Sequence, residues 1–379
     1  MDLPTLKTLP SSPAFVLDSQ ILRNNLDTLS QLRQQSGCKV LYSVKALPLA
    51  YVLNLAKNVV DGFSVSSLFE AKLAHNTLAG LGSIHITTPG LRDDEWPELS
   101  NLVSHVSFNS ISQQQRLSPL TTGTVSMGLR INPKLSFLAD ARYDPSGPSS
   151  KLGASIDEVW QSANLATLGG LHVHNYYSAT DFQPLLKTVA KLRQYFGKDL
   201  AKLAWLNLGG GYLFNQIKDH KAFIDLVKQL QDDYGIEVFI EPGKAVVGDA
   251  AYLVATVIDT FVSDGKTVAI LDTSVNHNPE VFEYQRPAEL CGHDPKGRYP
   301  VVLAGSTCLA GDVLGEYRLP KPLTVGERVV FKQLGAYSLI KAHRFNGYNL
   351  PDIYRLEQGQ ATLLKQYTYR DYQQQWRSQ

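Results

Sequence analysis

A lysine ends the apolar run Val40-Leu41-Tyr42-Ser43-Val44-Lys45-Ala46. An ammonium held at the rim of a buried strand loses solvation and its pKa falls. The neutral amine can then form a Schiff base with an aldehyde. Glu241 follows Val238-Phe239-Ile240, where a carboxylate needs a cationic or hydrogen-bonding partner. Gly209-Gly210-Gly211 follows Trp205-Leu206-Asn207-Leu208, and such a run lets backbone N–H groups approach an anion. His174 follows Gly170-Leu171-His172-Val173, and His172 and His174 are expected on opposite faces of that strand. Each residue alone has a plainer reading: a lysine reaching solvent, a salt-bridged carboxylate, a tight turn, a structural histidine. Together they supply an amine for an aldehyde, glycines for a phosphate, a flat ring for stacking and a carboxylate for a ring nitrogen. Those are the parts a pyridoxal phosphate site requires.

The elements that must position them are legible as a rhythm. Short apolar runs recur near residues 39–44, 62–65, 83–87, 104–108, 125–131, 169–174, 203–208 and 236–241, spaced by amphipathic stretches such as Leu49–Ala56. Strands alternating with helices imply a parallel sheet, and eight such units predict an α/β fold, a (β/α)8 barrel over residues 20–250. An open doubly wound sheet is the alternative. In a barrel, chemistry belongs at the C-terminal ends of the strands, where Lys45, His174, the glycines and Glu241 all fall. From residue 251 the texture changes to strand-like runs such as Ala251–Val257, Thr267–Leu271 and Glu327–Phe331, broken by Gly, Pro and Asp. This predicts a C-terminal antiparallel β domain over residues 251–379, joined by an N-terminal segment, 1–19, through Ala14–Leu17. Pro145–Ser150 reads as a loop.

Composition narrows the function. A length of 379 residues suits about two domains, and 44% hydrophobic content supports a sizeable core. Formal net charge is +1, which gives no electrostatic footprint for nucleic acid or an anionic membrane. Cys38, Cys291 and Cys308 lie far apart, with no paired spacing, which points to a reducing, cytoplasmic setting. The first residues lack signal-peptide features, no apolar run is long enough to span a bilayer, and no metal-ligand spacing is present.

Six segments in order carry a more specific likeness: Tyr42-Ser43-Val44-Lys45, His174, Gly209-Gly210-Gly211-Tyr212, Glu241-Pro242-Gly243, Gly305-Ser306-Thr307-Cys308 and Gly335-Ala336-Tyr337. The chain resembles the fold type III pyridoxal phosphate decarboxylases, the alanine racemase-like group that includes ornithine and diaminopimelate decarboxylases. Within that group, Ser66–Ala71, Leu271–Ser274, Thr307–Asp312 and Phe345–Tyr348 resemble the carboxynorspermidine/carboxyspermidine decarboxylases.

The resemblance implies roles. Lys45 binds the cofactor aldehyde and His174 stacks on its ring. Gly210, Gly211, Gly243 and Tyr337 hold its phosphate, and Glu241 pairs with its ring nitrogen. Arg130 supports the lysine and cofactor side. Cys308 donates a proton into the site of the other subunit of a homodimer, so active sites are shared. Asp272 and Asp312 are the acids expected for a cationic polyamine tail, with a turn cap and an interface salt bridge as their plainer readings. Glu283 and His277 lie on the same stretch and could line that pocket.

The implied reaction is loss of the α-carboxylate from carboxynorspermidine or carboxyspermidine, a step of polyamine biosynthesis. Three positions depart from relatives in the group. Ser64 stands where ornithine enzymes carry an acid. Lys244 replaces an arginine, giving a point charge in place of a planar fork. Leu309 follows Cys308 where ornithine enzymes have Asp and diaminopimelate enzymes Glu, which argues against both substrates. A decarboxylase of diaminopimelate, ornithine or arginine is the alternative on the same fold. A regulatory protein that kept the fold and lost the chemistry is the alternative of another class.

Overall fold

The structure is a computed structural model and describes residues 2–138, 140 and 142–378. It divides into two compact units, residues 23–246 and residues 1–22 with 247–379.

The first strand, β1 (Ala14–Asp18), belongs to the second of these units. The unit of residues 23–246 is built on β2 (Lys39–Ser43), β3 (Gly62–Val65), β4 (Ser83–Thr87), β5 (His105–Phe108), β6 (Ser126–Asn132), the two-residue β7 (Ala154–Ser155), β8 (Gly170–Val173), β9 (Trp205–Asn207) and β10 (Glu237–Ile240). Eight of them run in the order β5-β4-β3-β2-β10-β9-β8-β6, and pairing of β5 with β6 closes the ring. Every pairing is parallel, so the predicted (β/α)8 barrel is present and the open sheet is not. Strands buried on both faces explain the continuous apolar runs. The outer helices are amphipathic. Gln183–Phe196 buries Leu185, Val189 and Leu192, and Lys221–Tyr234 buries Phe223, Leu226, Val227 and Leu230.

The N-terminal strand ends are plugged by aromatic groups. Leu41, Trp205 and Phe239 form a buried cluster. The His85 and His105 rings stack beside it at 3.9 Å. The Trp205 indole N–H donates to Ser126 Oγ at 2.8 Å, so its one polar atom is satisfied. Truncating such a residue to alanine typically costs about 3–5 kcal/mol. Burial holds His85 well below the usual histidine range and pushes His105 down to about 4. The plug leaves only the opposite end, where the strands finish, free for polar chemistry.

The second unit adds β11 (Ala251–Ser263), β12 (Lys266–Leu271), β13 (Glu289–Leu290), β14 (Tyr299–Ala304), β15 (Val313–Leu319), β16 (Arg328–Lys332), β17 (Asp352–Glu357) and β18 (Gln360–Lys365). Its sheet runs β15-β14-β12-β11-β1-β17-β18, with β16 on β11 and β13 on β16. Most neighbours are antiparallel, but β1 pairs with β17 and β12 with β14 in parallel, so the sheet is mixed. β1 inserts between β11 and β17, which is why Ala14–Leu17 is apolar throughout. Leu6, Val16, Tyr252, Val254, Val330 and Leu356 meet in this unit's core. Among the described residues no helix is long and apolar enough to cross a membrane.

Candidate active site

β2 ends at Ser43, and Lys45 follows on a single 3-10 turn, Val44–Ala46. Its side chain is surrounded by protein yet accessible to solvent, as expected for an ammonium in a recess. Burial lowers its pKa. Glu241 and Glu70 oppose that shift, and the neighbouring Arg130 reinforces it. The Glu-Pro-Gly turn packs against the lysine turn because residue 243 has no side chain. A Cβ on Gly243 would come within 2.9 Å of the Ala46 Cβ.

Glu241 follows β10 and is 6% exposed. Its Oε1 accepts the Asn207 side-chain amide at 2.8 Å, and Asn207 Oδ1 accepts the Gly209 N–H at 2.8 Å. One asparagine therefore ties the carboxylate to the glycine turn. Oε2 accepts no hydrogen bond from the described residues, and the nearest cationic candidate, His172 Nε2, is 3.9 Å away. That nitrogen is buried and has no hydrogen-bond partner among the described residues.

The expectation that His172 and His174 point to opposite faces is wrong. Side chains alternate along a strand, so residues two apart share a face. Both rings are held well below the usual histidine range, chiefly by burial, and both feel the positive charges of Lys45 and Arg130. They are therefore neutral near pH 7. His174 Nδ1 accepts the Gly210 N–H at 2.9 Å, which puts the ring proton on Nε2 and fixes the ring plane. Gly211 has φ +97°, and a Cβ there would sit 2.2 Å from the Tyr176 carbonyl, so this turn requires glycine. Arg130, on β6, is 7% exposed and donates to the His174 carbonyl at 3.3 Å. Burial pushes its guanidinium down to about 10, against the pull of Glu241.

The barrel thus gathers Lys45, Arg130, His174, Gly210, Gly211, Glu241 and Gly243 at one end. Three further polar residues there were not selected from the sequence. Asn207 was signalled only by being polar in an apolar strand. For His172 the opposite-face reading left open which of the two histidines faces the barrel centre. Glu70 lies in the Ser66–Ala71 segment; its carboxylate accepts the Ser66 N–H at 2.7 Å, and burial raises its pKa while Lys45 pulls it back. Ser64 is buried on β3, so Glu70 is the acid that Lys45 senses on this side. Lys244 Nζ lies 3.2 Å from Ser178 Oγ and over the Tyr177 ring.

Cys308, Asp272, Asp312 and Tyr337 belong to the other unit. Cys308 is exposed on the turn between β14 and β15. Asp312 is 3% exposed and accepts from Val275 N at 2.8 Å, Thr307 N at 3.1 Å and Thr307 Oγ1. Asp272 accepts from Thr256 N at 2.8 Å and from Ser12 Oγ, and burial raises its pKa. Both carboxylates are engaged within the unit. Tyr337 has φ +62° and its ring lies 5.8 Å from Lys341 Nζ. That ammonium also meets Glu283 at 2.6 Å, Glu280 at 3.6 Å and the Tyr284 ring at 5.4 Å.

The sequence pattern of the family described as "Pyridoxal-dependent decarboxylase, C-terminal sheet domain" matches residues 14–335. The chain belongs to the pyridoxal-dependent decarboxylases. It is 32% identical to the carboxynorspermidine/carboxyspermidine decarboxylase of Campylobacter jejuni over 95% of this chain and 97% of that one. It is 33% identical to the carboxyaminopropylagmatine decarboxylase of Synechocystis over 98% and 97%. The crystal structure of carboxynorspermidine decarboxylase complexed with norspermidine, from Campylobacter jejuni, superposes with a TM-score of 0.88 at 30% identity, covering 96% of this chain and all of that one. This pyridoxal-dependent decarboxylase is therefore an enzyme using pyridoxal phosphate. Its barrel residues fit that group: a lysine of lowered pKa for the aldehyde, an open Glu241 oxygen for a protonated ring nitrogen, a fixed neutral imidazole, and a glycine turn that any side chain would fill.

Proposed function

We propose that this enzyme removes the α-carboxylate of carboxynorspermidine or carboxyspermidine, releasing norspermidine or spermidine. The observation that carries the reading is near-full-length identity of 32% to a relative of that name. Leu309 supports it, because an apolar residue beside Cys308 cannot pair with the polar ends of ornithine or diaminopimelate.

In this reading Lys45 would hold the cofactor through its aldehyde. His174 stacks on the ring. Gly210, Gly211 and Gly243 would hold the phosphate. Glu241, oriented by Asn207, would pair with the ring nitrogen, and Arg130 adds to the lowering of the Lys45 pKa that burial begins. When bound, pyridoxal phosphate accepts the electron pair left by departing CO2. The Cys308 S–H bond then breaks as a C–H bond forms at the carbon that lost its carboxylate, and the thiolate regains a proton from water. The thiol comes from a second copy of the chain, in a homodimer working in the reducing cytoplasm.

The tail needs anionic partners. Asp272 and Asp312 are the acids the family resemblance suggests, yet their oxygens are engaged internally. Glu280, Glu283, Tyr284 and Tyr337 already hold one alkylammonium, that of Lys341, and carry the chemistry to hold another. A second substrate, carboxyaminopropylagmatine, is favoured by the 33% identity to the Synechocystis relative and differs in ending in a guanidinium.

The test compares kcat/KM for carboxynorspermidine, carboxyspermidine, carboxyaminopropylagmatine, diaminopimelate, ornithine and arginine. The two carboxylated triamines should lead. Faster turnover of diaminopimelate would overturn the proposal. Mixing Lys45→Ala dimers with Cys308→Ala dimers should restore part of the activity, and no recovery despite subunit exchange would argue against a shared site.

A further inference from the structure

Phe345-Asn346-Gly347 forms a single 3-10 turn, and Tyr348 follows it. This segment holds the turn that presents Cys308. Ser306, Thr307 and Cys308 are each fastened by a different side chain. The Tyr348 hydroxyl donates to the Ser306 carbonyl at 2.7 Å. Asp312 accepts from the Thr307 N–H and hydroxyl. Asn346 Oδ1 accepts the Cys308 N–H at 3.0 Å. Asn346 itself is left-handed, with φ 56° and ψ 16°. That region strains most side chains, and asparagine is among the few that tolerate it.

We propose that Asn346 is the positioning residue for the Cys308 thiol, on the reading that this thiol protonates the decarboxylated carbon. Fixing the N–H fixes the peptide plane that carries the Cys308 Cα, so the sulfur is left only the φ and χ1 rotations of its own residue. The neighbouring ties at Ser306 and Thr307 hold the turn but do not reach residue 308. The bond lies at an exposed site, where water would satisfy the Cys308 N–H in its absence. Asn346 thus orients the thiol more than it stabilises the fold.

Two substitutions separate the acceptor from the backbone conformation. Asn346→Gly keeps the left-handed turn and removes Oδ1, whereas Asn346→Asp keeps an acceptor. Both are compared with wild type and Cys308→Ala, using carboxynorspermidine. We expect Asn346→Gly to lower kcat by ~10–100-fold, the scale of a misplaced reacting group, with KM unchanged. In D2O its product should lose the single stereochemistry of deuterium at the new C–H. Asn346→Asp should restore most of kcat and that stereochemistry. In the apoprotein, alkylation of Cys308 by iodoacetamide should speed up in Asn346→Gly and return to the wild-type rate in Asn346→Asp. Wild-type kcat in Asn346→Gly, with kcat lost in Cys308→Ala, would overturn the inference and leave the thiol's role intact. Wild-type kcat in Cys308→Ala would overturn both. Asn346→Asp as impaired as Asn346→Gly would show that the acceptor is not the cause and overturn the inference.

Discussion

Asn207 ends β9, Glu241 follows the paired strand β10, and the side-chain amide of the first donates to the carboxylate of the second at 2.8 Å. The same asparagine receives the Gly209 N–H. Carboxylate and glycine turn therefore share one rigid anchor.

Asn207→Ala leaves a buried carboxylate short of a donor, a loss of about 1–3 kcal/mol. If that loss falls on Glu241, apoenzyme titrated with pyridoxal phosphate should bind at least tenfold more weakly. Asn207→Asp should bind more weakly still, because it sets two carboxylates against each other. The check is the cofactor's visible absorbance, with thermal melting to separate binding from folding.

Lys45→Ala should lack the visible band of lysine-bound cofactor and have no turnover, and Lys45→Arg should fail equally because guanidinium does not deprotonate. Burial lowers the Lys45 pKa. The rate at which apoenzyme attaches the cofactor should therefore have its pH midpoint below 10.5, the ordinary lysine value. A midpoint at or above that value would contradict the recess assigned to this side chain.

Acid should unfold the protein through its neutral histidines. His85, His172 and His174 are held well below 6.5, and His105 and His277 are pushed down to about 4. Between those depressed values and 6.5 the unfolded chain binds more protons than the folded one, so stability falls as pH drops. It is fully present above about pH 7. Urea midpoints should be flat from pH 8 to 7 and decline steadily from 6.5 toward 4. His105→Phe should make that decline shallower.

Asp312 and Glu283 should separate by what they damage. Asp312→Ala strands three donors, Val275 N, Thr307 N and Thr307 Oγ1, and should cost about 3 kcal/mol or more of stability, read by urea unfolding. Glu283→Gln removes one exposed charge and should leave the melting temperature near wild type. It should raise KM for a polyammonium substrate about tenfold, about 1.4 kcal/mol of binding. Reversal of that pattern would return the tail to Asp312.

Lys45, His174 and Glu241 were legible because each stands where an apolar run stops, and a barrel confines polar chemistry to those ends. The eight-strand rhythm was legible for the same reason: strands buried on both faces must be apolar throughout. Asn207 and His172 were not, since a polar residue inside such a run does not reveal which partner satisfies it. Asp272 and Asp312 mark the opposite limit. Their residue type suggested anions for a cationic tail, but whether an oxygen is open depends on backbone N–H groups distant in the chain, such as Val275 N for Asp312.

The sequence by itself determined the cofactor chemistry and the barrel, because residue types and periodicity carry both. Only the tertiary structure decided which charges stand open and which are spent. It put Glu241 on Asn207, left one carboxylate oxygen unclaimed, spent Asp312 on its own turn and hung Cys308 from Asn346. Hydrogen bonds saturate, and their partners come from strands and turns that only folding brings together.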